Sequence, residues 1–521
     1  MGLITKNEAK NEEKLAATIM VQGTASHVGK SALVAALCRI FVQDGYRVAP
    51  FKSWNMALNS YVTADGGEIG RAQGEQAEAA GIEASVHLNP ILVKPKGPGQ
   101  AEVIIRGKHH GNVNYETRSQ AEYLNFSMQI IGESLDLLRH KFEIIVLEGA
   151  GSPAEINLQH QDVANMKAAH LATAPVLLVC DIDRGGALAA AVGTMLLLPE
   201  EDRKRVAGFI FNKFRGDRTI LEPGLKIVQE KTGVPVLGVV PYLTQTGLSE
   251  EDGVALDGSL SIGEHEPDRL RICVVLLPYI ANFTDFDALA REKDVFLFYA
   301  SAPEELIGAD AVILPGTKNS IHAMHFLQES GLAISIKELT ASGVPIVGIC
   351  GGYQLLGQSL ADLTGGEGGG QPVLVSGLGL LPTETRFYPQ KRVRRVSATA
   401  CIPFAATEKV EGYEIHLGQT ERAFGCVPAF LLENGTEDGA VSSDGLVWGT
   451  YLHGIFECPG FRRSWLNTLR AKRHWPLLAA STPEDKGARF DILADAVRSS
   501  LDMSAVYRLL SLPGPWEGDK P

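Results

Sequence analysis

ATIMVQGTASHVGKS, residues 17–31, runs from a short apolar segment through a glycine-flanked loop into the helical pattern SALVAALCRIF at 31–41. Strand, loop and helix in that order are what a phosphate-binding loop requires. The loop N–H groups and the partial positive charge of the helix N-terminus then face one anion together. Gly29-Lys30-Ser31 has the usual ending of such a loop. Lys30 would reach the β- and γ-phosphates of ATP, and Ser31 would ligate Mg²⁺. The position that normally holds the first glycine is Thr24, and Gly23 makes the loop one residue longer. Nucleotide contacts are therefore expected from Gly23, Thr24, Val28, Gly29, Lys30 and Ser31. A glycine-rich turn that binds no nucleotide is the plain alternative.

Outward from this loop the text keeps one rhythm. YRVAPFK (46–52), FEIIVLEGAG (142–151), APVLLVCDIDRGG (174–186) and VAGFIFNKF (206–214) are short apolar runs set between helical stretches. Near-continuous Val/Ile/Leu runs predict parallel strands buried on both faces, joined by right-handed crossovers in an α/β sheet. SEEDGVALDGSLSIGEHEPD, 249–268, carries seven acids and no Lys or Arg, which reads as a linker. A second α/β series follows in RICVVLLP (271–278), ADAVILPG (309–316) and VPIVGIC (344–350). The expected organisation is a polar tail at 1–16, a first α/β domain at 17–248, a linker at 249–268, a second α/β domain at 269–465 and a helical tail at 466–521. GGEGGG at 365–370 is expected to form a loop within the second domain.

Composition narrows the function classes. With 521 residues, two to four domains are expected. Lys plus Arg number 48 against 61 Asp plus Glu, a net charge of -13, which disfavours non-specific nucleic-acid binding. The seven cysteines are odd in number and show no CxxC spacing, which points to a reducing, cytoplasmic setting. The opening MGLITKNEAKNEEK has no apolar core of a signal peptide, and no run of roughly 18 apolar residues predicts a membrane span.

Further residues can serve the phosphate loop. Glu148 ends an apolar strand, the expected place for a Mg²⁺ ligand or water holder, although a cap of the next segment fits as well. Lys52 ends the second strand and could meet the γ-phosphate or a substrate carboxylate. Asp65, in VTADGGEIGRAQ, is a second metal candidate or an ordinary Asp-Gly turn. Asn212, followed by Lys213, could read the base or cap a helix. Asp181 and Asp183 could face the reacting group or pair with Arg184 or another neighbour.

In the second half one cysteine stands out. Gly348-Ile349-Cys350-Gly351-Gly352 lies between the apolar VPIV and the helical YQLLGQSL, a thiol version of the nucleophile elbow. The glycines permit a strained turn that lifts Sγ above the sheet, and the helix N-terminus favours the thiolate. The N–H of Gly351, with Gly316 of LPGTKNS, can form an oxyanion hole. A base is needed for the proton. His453 in WGTYLHGIFE follows a strand and is preferred to His416 in GYEIHLGQT.

These motifs occur together and in order. The stretch from Lys52 to Gly81, with LEGAGSPAEINL, DIDRGG, NKFRGD, GICGGYQLLG, GYEIHLGQT and GTYLHGIFE, resembles the cobyric acid synthase family from about residue 18 to about 465. The longer phosphate loop resembles that of dethiobiotin synthetase-like ATPases. The resemblance implies a dethiobiotin-synthetase-like P-loop domain followed by a flavodoxin-like class I glutamine amidotransferase domain. It further implies ATP- and glutamine-dependent amidation of the b, d, e and g carboxylates of adenosylcobyrinic acid a,c-diamide. Glutamine and a corrinoid would be the substrates, with Cys350 as nucleophile and His453 as base. Typical class I glutaminases carry Glu two residues after the His, where this chain has Ile455. That departure matches a Cys-His subtype and leaves Glu457 as a conceivable orienter. Lys391, Arg392, Arg394 and Arg395 form a basic cluster that could receive a polycarboxylate, or else a solvated hairpin face. A relative acting on cobyrinic acid or on a peptidoglycan precursor is the rival reading. A partitioning-type regulatory ATPase is another, and it leaves the elbow unexplained.

Overall fold

The computed structural model describes residues 15–97, 99–114, 120–243, 248, 268–367, 371–482 and 486–515. The acidic segment read as a linker lies outside the described residues except for Asp268, and so do 368–370 of the glycine-rich loop.

In the first domain the apolar runs form β1 (Ala17–Gly23), β2 (Val48–Phe51), β3 (Ile144–Glu148), β4 (Val176–Asp181), β5 (Val206–Phe214) and β6 (Val236–Pro241). They build one parallel sheet in the order β6-β5-β4-β1-β3-β2. Every residue of β3 and β4 is buried, as strands covered on both faces require. The strand order reverses at β1, and ligands of open α/β sheets bind at that switch point, beyond the strand C-termini. The glycine loop leaves β1 there and enters α1 (Lys30–Gln43). Between β2 and β3 the chain inserts a small hairpin, Ser60–Val62 with Glu68–Gly70, then α2 (Arg71–Ala79) and an antiparallel sheet containing Ile91–Gly97 and Gln100–Ile105.

The second domain contains β7 (Leu270–Val275), β8 (Val295–Ala300), β9 (Ala311–Leu314), β10 (Ile346–Ile349), the long antiparallel pair β11 (Thr383–Ala400) and β12 (Lys409–Arg422), β13 (Ala440–Val441) and β14 (Val447–Thr450). The sheet order is β8-β7-β9-β10-β14-β13, parallel except at β13. Gly316, Cys350 and His453 follow the adjacent strands β9, β10 and β14, so neighbouring strand ends bring them together. The short helix α3 (Gly351–Leu356) leaves directly from Cys350.

The chain then returns. α4 (Pro459–Lys472) spans the expected boundary at 465, and α5 (Lys486–Arg498) and α6 (Met503–Leu510) pack on α1 of the first domain. Phe490, Leu493, Val497, Val506, Tyr507 and Leu510 are buried in one cluster with Val34, Leu37 and Phe41. Arg39 Nε meets Asp491 at 2.7 Å and Arg498 Nη1 meets Asp44 at 2.9 Å. The described helices at 486–510 thus pack on the first domain. Their apolar face covers α1, and Leu501 bridges Gly238 of β6.

Candidate functional site

At the first site the loop is held from three sides. Gly29 has φ +95°, and a Cβ there would lie 2.2 Å from Asn212 Nδ2, so this position requires glycine. Asn212 Nδ2 donates to the Val28 carbonyl at 2.8 Å, which makes it a buttress of the loop. Lys213 Nζ donates to the His27 carbonyl at 2.6 Å and pairs with Asp181 at 2.9 Å. The Thr24 N–H donates to the Val179 carbonyl. Gly23 packs against Val28, whose side chain is buried. Lys30 Nζ donates to the carbonyls of Ala25 and Gly151 at 3.0 and 3.1 Å, which keeps its ammonium across the loop.

Glu148 gathers the chemistry. Its Oε1 accepts from Ser31 Oγ at 2.8 Å and from buried Lys52 Nζ at 3.0 Å, and its Oε2 accepts from Gln76 Nε2 at 2.6 Å. Burial alone would raise this carboxyl. The Lys52 charge, with the hydrogen bonds from Gln76, Lys52 and Ser31, holds it below the ordinary carboxylate range. A hydroxyl and an ionised carboxylate at hydrogen-bond distance are the hard oxygen donors that suit Mg²⁺. Lys52 is committed to this carboxylate. Asp65 adds no atom to the group. It is exposed in the hairpin turn, and its carboxylate accepts from Thr63 Oγ1, the Asp-Gly turn alternative. Asp181 and Asp183 are paired with basic neighbours, Asp183 with Arg215 at 3.1 Å.

At the second site Cys350 has φ +51° and ψ −106°, the strained elbow geometry, and is 7% exposed. Its N–H donates to the Thr450 carbonyl at 2.7 Å, tying the elbow to β14. A Cβ on Gly316 would lie 3.2 Å from His453 Cε1 and 3.8 Å from Cys350 Cβ, so the β9 end closes over both groups. Gly351 packs against Thr317.

His453 is buried and lines the same cavity as Cys350, whose Sγ–H donates to the Ile415 carbonyl at 3.5 Å. The Nδ1 N–H donates to Asp285 Oδ2 at 2.6 Å, and the Gly454 N–H donates to Asp285 Oδ1 at 2.9 Å. Burial disfavours the imidazolium, but the Asp285 and Cys350 charges outweigh it and push the pKa up to about 10. Asp285 sits in the 3-10 turn Phe283–Phe286 beyond β7. Sequence reading missed it; the only local signal is an acid in the short turn ANFTDFD after an apolar strand. Glu457, the orienter expected from sequence, instead lies 3.8 Å from Arg291. His416 lines the same cavity, but its ring stacks on Tyr451 at 3.8 Å and its Nδ1 N–H donates to the Gly418 carbonyl.

Two members of the basic cluster, Lys391 and Arg395, are spent on the seam between domains. Lys391 is buried between Glu68 and Glu102 of the first domain. Arg394 pairs with Glu414, and Arg395 donates to the Val62 carbonyl at 2.7 Å. Lys391 is therefore neither an open anion receiver nor part of a solvated face.

A phosphate loop with a Ser–carboxylate pair, joined on one chain to a Cys-His elbow, defines a glutamine-hydrolysing amidoligase. Residues 19–256 match the CobQ/CobB/MinD/ParA nucleotide binding domain, and residues 271–461 match the CobB/CobQ-like glutamine amidotransferase domain. The chain is 46% identical to a cobyric acid synthase of Desulforamulus reducens, over 96% of this chain and 99% of that protein. It is 48% identical to one of Pelotomaculum thermopropionicum (96% and 98%) and 48% identical to one of Salmonella heidelberg (94% and 98%). The chain belongs to the cobyric acid synthase family. No described helix is long and apolar enough to cross a membrane.

Proposed function

We propose that this chain amidates the b, d, e and g carboxylates of adenosylcobyrinic acid a,c-diamide to give cobyric acid, using one ATP and one glutamine per amide. The observation that carries the reading is the pairing, in one chain, of the Ser31–Glu148 phosphate loop with the Cys350–His453–Asp285 elbow.

A carboxylate does not yield an amide with ammonia at neutral pH, because an oxide is a poor leaving group. Transfer of the γ-phosphoryl group to the carboxylate oxygen breaks the bond to ADP and forms an acyl phosphate. Ammonia then adds at the acyl carbon and phosphate departs. Lys30 faces the charge that shifts during the transfer. Ser31 and Glu148 would hold Mg²⁺, which neutralises phosphate charge when bound. At the elbow the Cys350 thiolate attacks the side-chain amide carbon of glutamine. The amide nitrogen leaves as ammonia with a proton from His453. Water then opens the glutamyl thioester as His453 takes its proton, which releases glutamate and restores the thiolate beside a protonated imidazole. Asp285 keeps the imidazole in the tautomer that exposes Nε2 to these protons. Gly316 and Gly351 would shelter the oxyanion. The seven unpaired cysteines support a reducing, cytoplasmic setting.

The test is Cys350→Ala. Amidation with glutamine should disappear while amidation with ammonium chloride persists. Loss of both in a folded protein would sink the assignment of separate sites.

A further inference from the structure

The cavity that holds Cys350 and His453 is also lined by Lys94, Lys318, Lys391 and Glu367, charges that the chemistry at the thiol does not use. At most 10% of any of the three lysine side chains meets solvent. Lys94 belongs to the first domain, on Ile91–Gly97 of the inserted sheet, whereas Lys318 and Glu367 belong to the second. Behind the lysines stand Glu68 and Glu102 of the first domain. Lys391 meets both, Lys94 meets Glu68 at 2.7 Å, and Lys318 meets Glu102. Lys96 Nζ donates to the Gly366 carbonyl at 2.7 Å and lies within electrostatic reach of Glu367. Four lysines thus face three glutamates, and a buried surplus cation ordinarily has an anion for a partner.

An ammonium has three donors. Among the described residues Lys94 directs two of them to Ser60 Oγ and Glu68, and Lys318 directs one to Glu102. Both keep capacity for a further acceptor, and both line the cavity. Glu367 is the acid on the same wall. Burial draws the Lys94 ammonium below its usual range and pushes the Glu367 carboxyl above its own. A carboxylate arriving at Lys94 and an ammonium arriving at Glu367 would each restore the charged form. One loop sets the spacing from the thiol. Gly316 borders Cys350 and His453, Lys318 follows two residues later, and the Ser320 N–H donates to Glu367 Oε2 at 3.0 Å. The loop that closes over Sγ therefore carries one charge and holds the other. Glutamine with its amide carbon at Sγ has its α-carbon two methylenes away, in a cavity whose remaining charges are these.

We propose that Lys94 and Lys318, one from each domain, receive the α-carboxylate of glutamine and that Glu367 receives its α-ammonium, so that the first domain completes the glutamine pocket of the second. The proposal rests on the glutamine-dependent reading above and adds what selects the free amino acid. Lys391, held between Glu68 and Glu102, neutralises the two carboxylates behind the pair and takes no part in the contact itself.

The experiment measures kcat/KM for ammonia release by the full chain from three donors: glutamine, its α-carboxamide glutaminamide, which lacks the carboxylate, and glutaramate, which lacks the ammonium. The parent should prefer glutamine to either analogue by about 10-fold or more, the scale of one charged hydrogen bond. In Lys94→Met and in Lys318→Met the preference over glutaminamide should fall toward one, while the preference over glutaramate stays. Glu367→Gln should show the reverse pattern. The loss with glutamine should fall mainly on KM, since the contact is the same in the ground state and the transition state. An ion network with a structural role alone would slow all three donors together and leave both ratios where they were. Unchanged ratios in the folded variants, or a parent that does not distinguish glutamine from glutaminamide, overturn the proposal. Should Lys94→Met fail to fold, Lys318→Met and the parent's own ratios decide. A parent that releases no ammonia from glutamine under any condition would instead overturn the underlying functional reading.

Discussion

The two sites are built in opposite ways. The phosphate loop is nine consecutive residues, Gly23 to Ser31, leaving one strand for one helix. The glutaminase site takes Asp285 from the exit of β7, Gly316 from β9, Cys350 from β10 and His453 from β14. The first is organised chiefly by its own backbone, with Asn212 and Lys213 as props. The second exists only when four strand ends reach register. The phosphate loop should therefore lose function chiefly through its own residues and the few side chains that meet it, Glu148 first. An assembled site should also lose it through residues that touch no substrate.

The sharpest break is Asp285→Asn. The amide leaves the shape but favours the wrong imidazole tautomer, and glutamate release should fall by up to about 10⁴-fold, the scale of the equivalent change in serine-protease triads. Ammonium-dependent amidation should be unaffected, and its loss would show that the two sites are not separable. Lys30→Ala should lower amidation by about 10³-fold with either nitrogen source, while glutaminase activity without ATP survives; product assays with glutamine and with ammonium check both arms. A third contrast is structural. Tyr507 packs edge-on to Phe41 at 5.5 Å, and Tyr507→Ala should cost the first domain about 3 kcal/mol. Calorimetry should then show the first domain melting earlier.

The smallest effect is one of pH. His453 is raised from about 6.5 toward 10 by Asp285 and Cys350 against the cost of burial. Its stabilising contribution is complete below the unfolded value near 6.5 and is lost as pH rises through about 10. Urea titrations between pH 7 and 10 should show that decline, and Asp285→Asn should flatten it.

What the sequence made legible follows the same division. Spacing and strand-helix context pointed to the loop, the elbow and the parallel sheets, because those are local patterns. Asp285 escaped because its partner lies 168 residues away and its own turn looks ordinary. Four cations in five residues at 391–395 suggested an anion site, yet the acids that bury Lys391 come from the hairpin and sheet inserted after β2. Asp65 was ambiguous on the page, and only the hairpin shows that its carboxylate closes its own turn. The last helices looked like an appendage because their apolar face matches α1, nearly the whole chain away.

That return of α5 and α6 fixes an order of events during synthesis. Domains generally form as they leave the ribosome, amino-terminal part first. Here the apolar face of α1 is covered by residues beyond 486, so the nucleotide domain stays unfinished until the glutaminase domain has already emerged. A chain cut short anywhere before α5 would leave exposed the part of α1 that Phe490, Leu493 and Val497 cover.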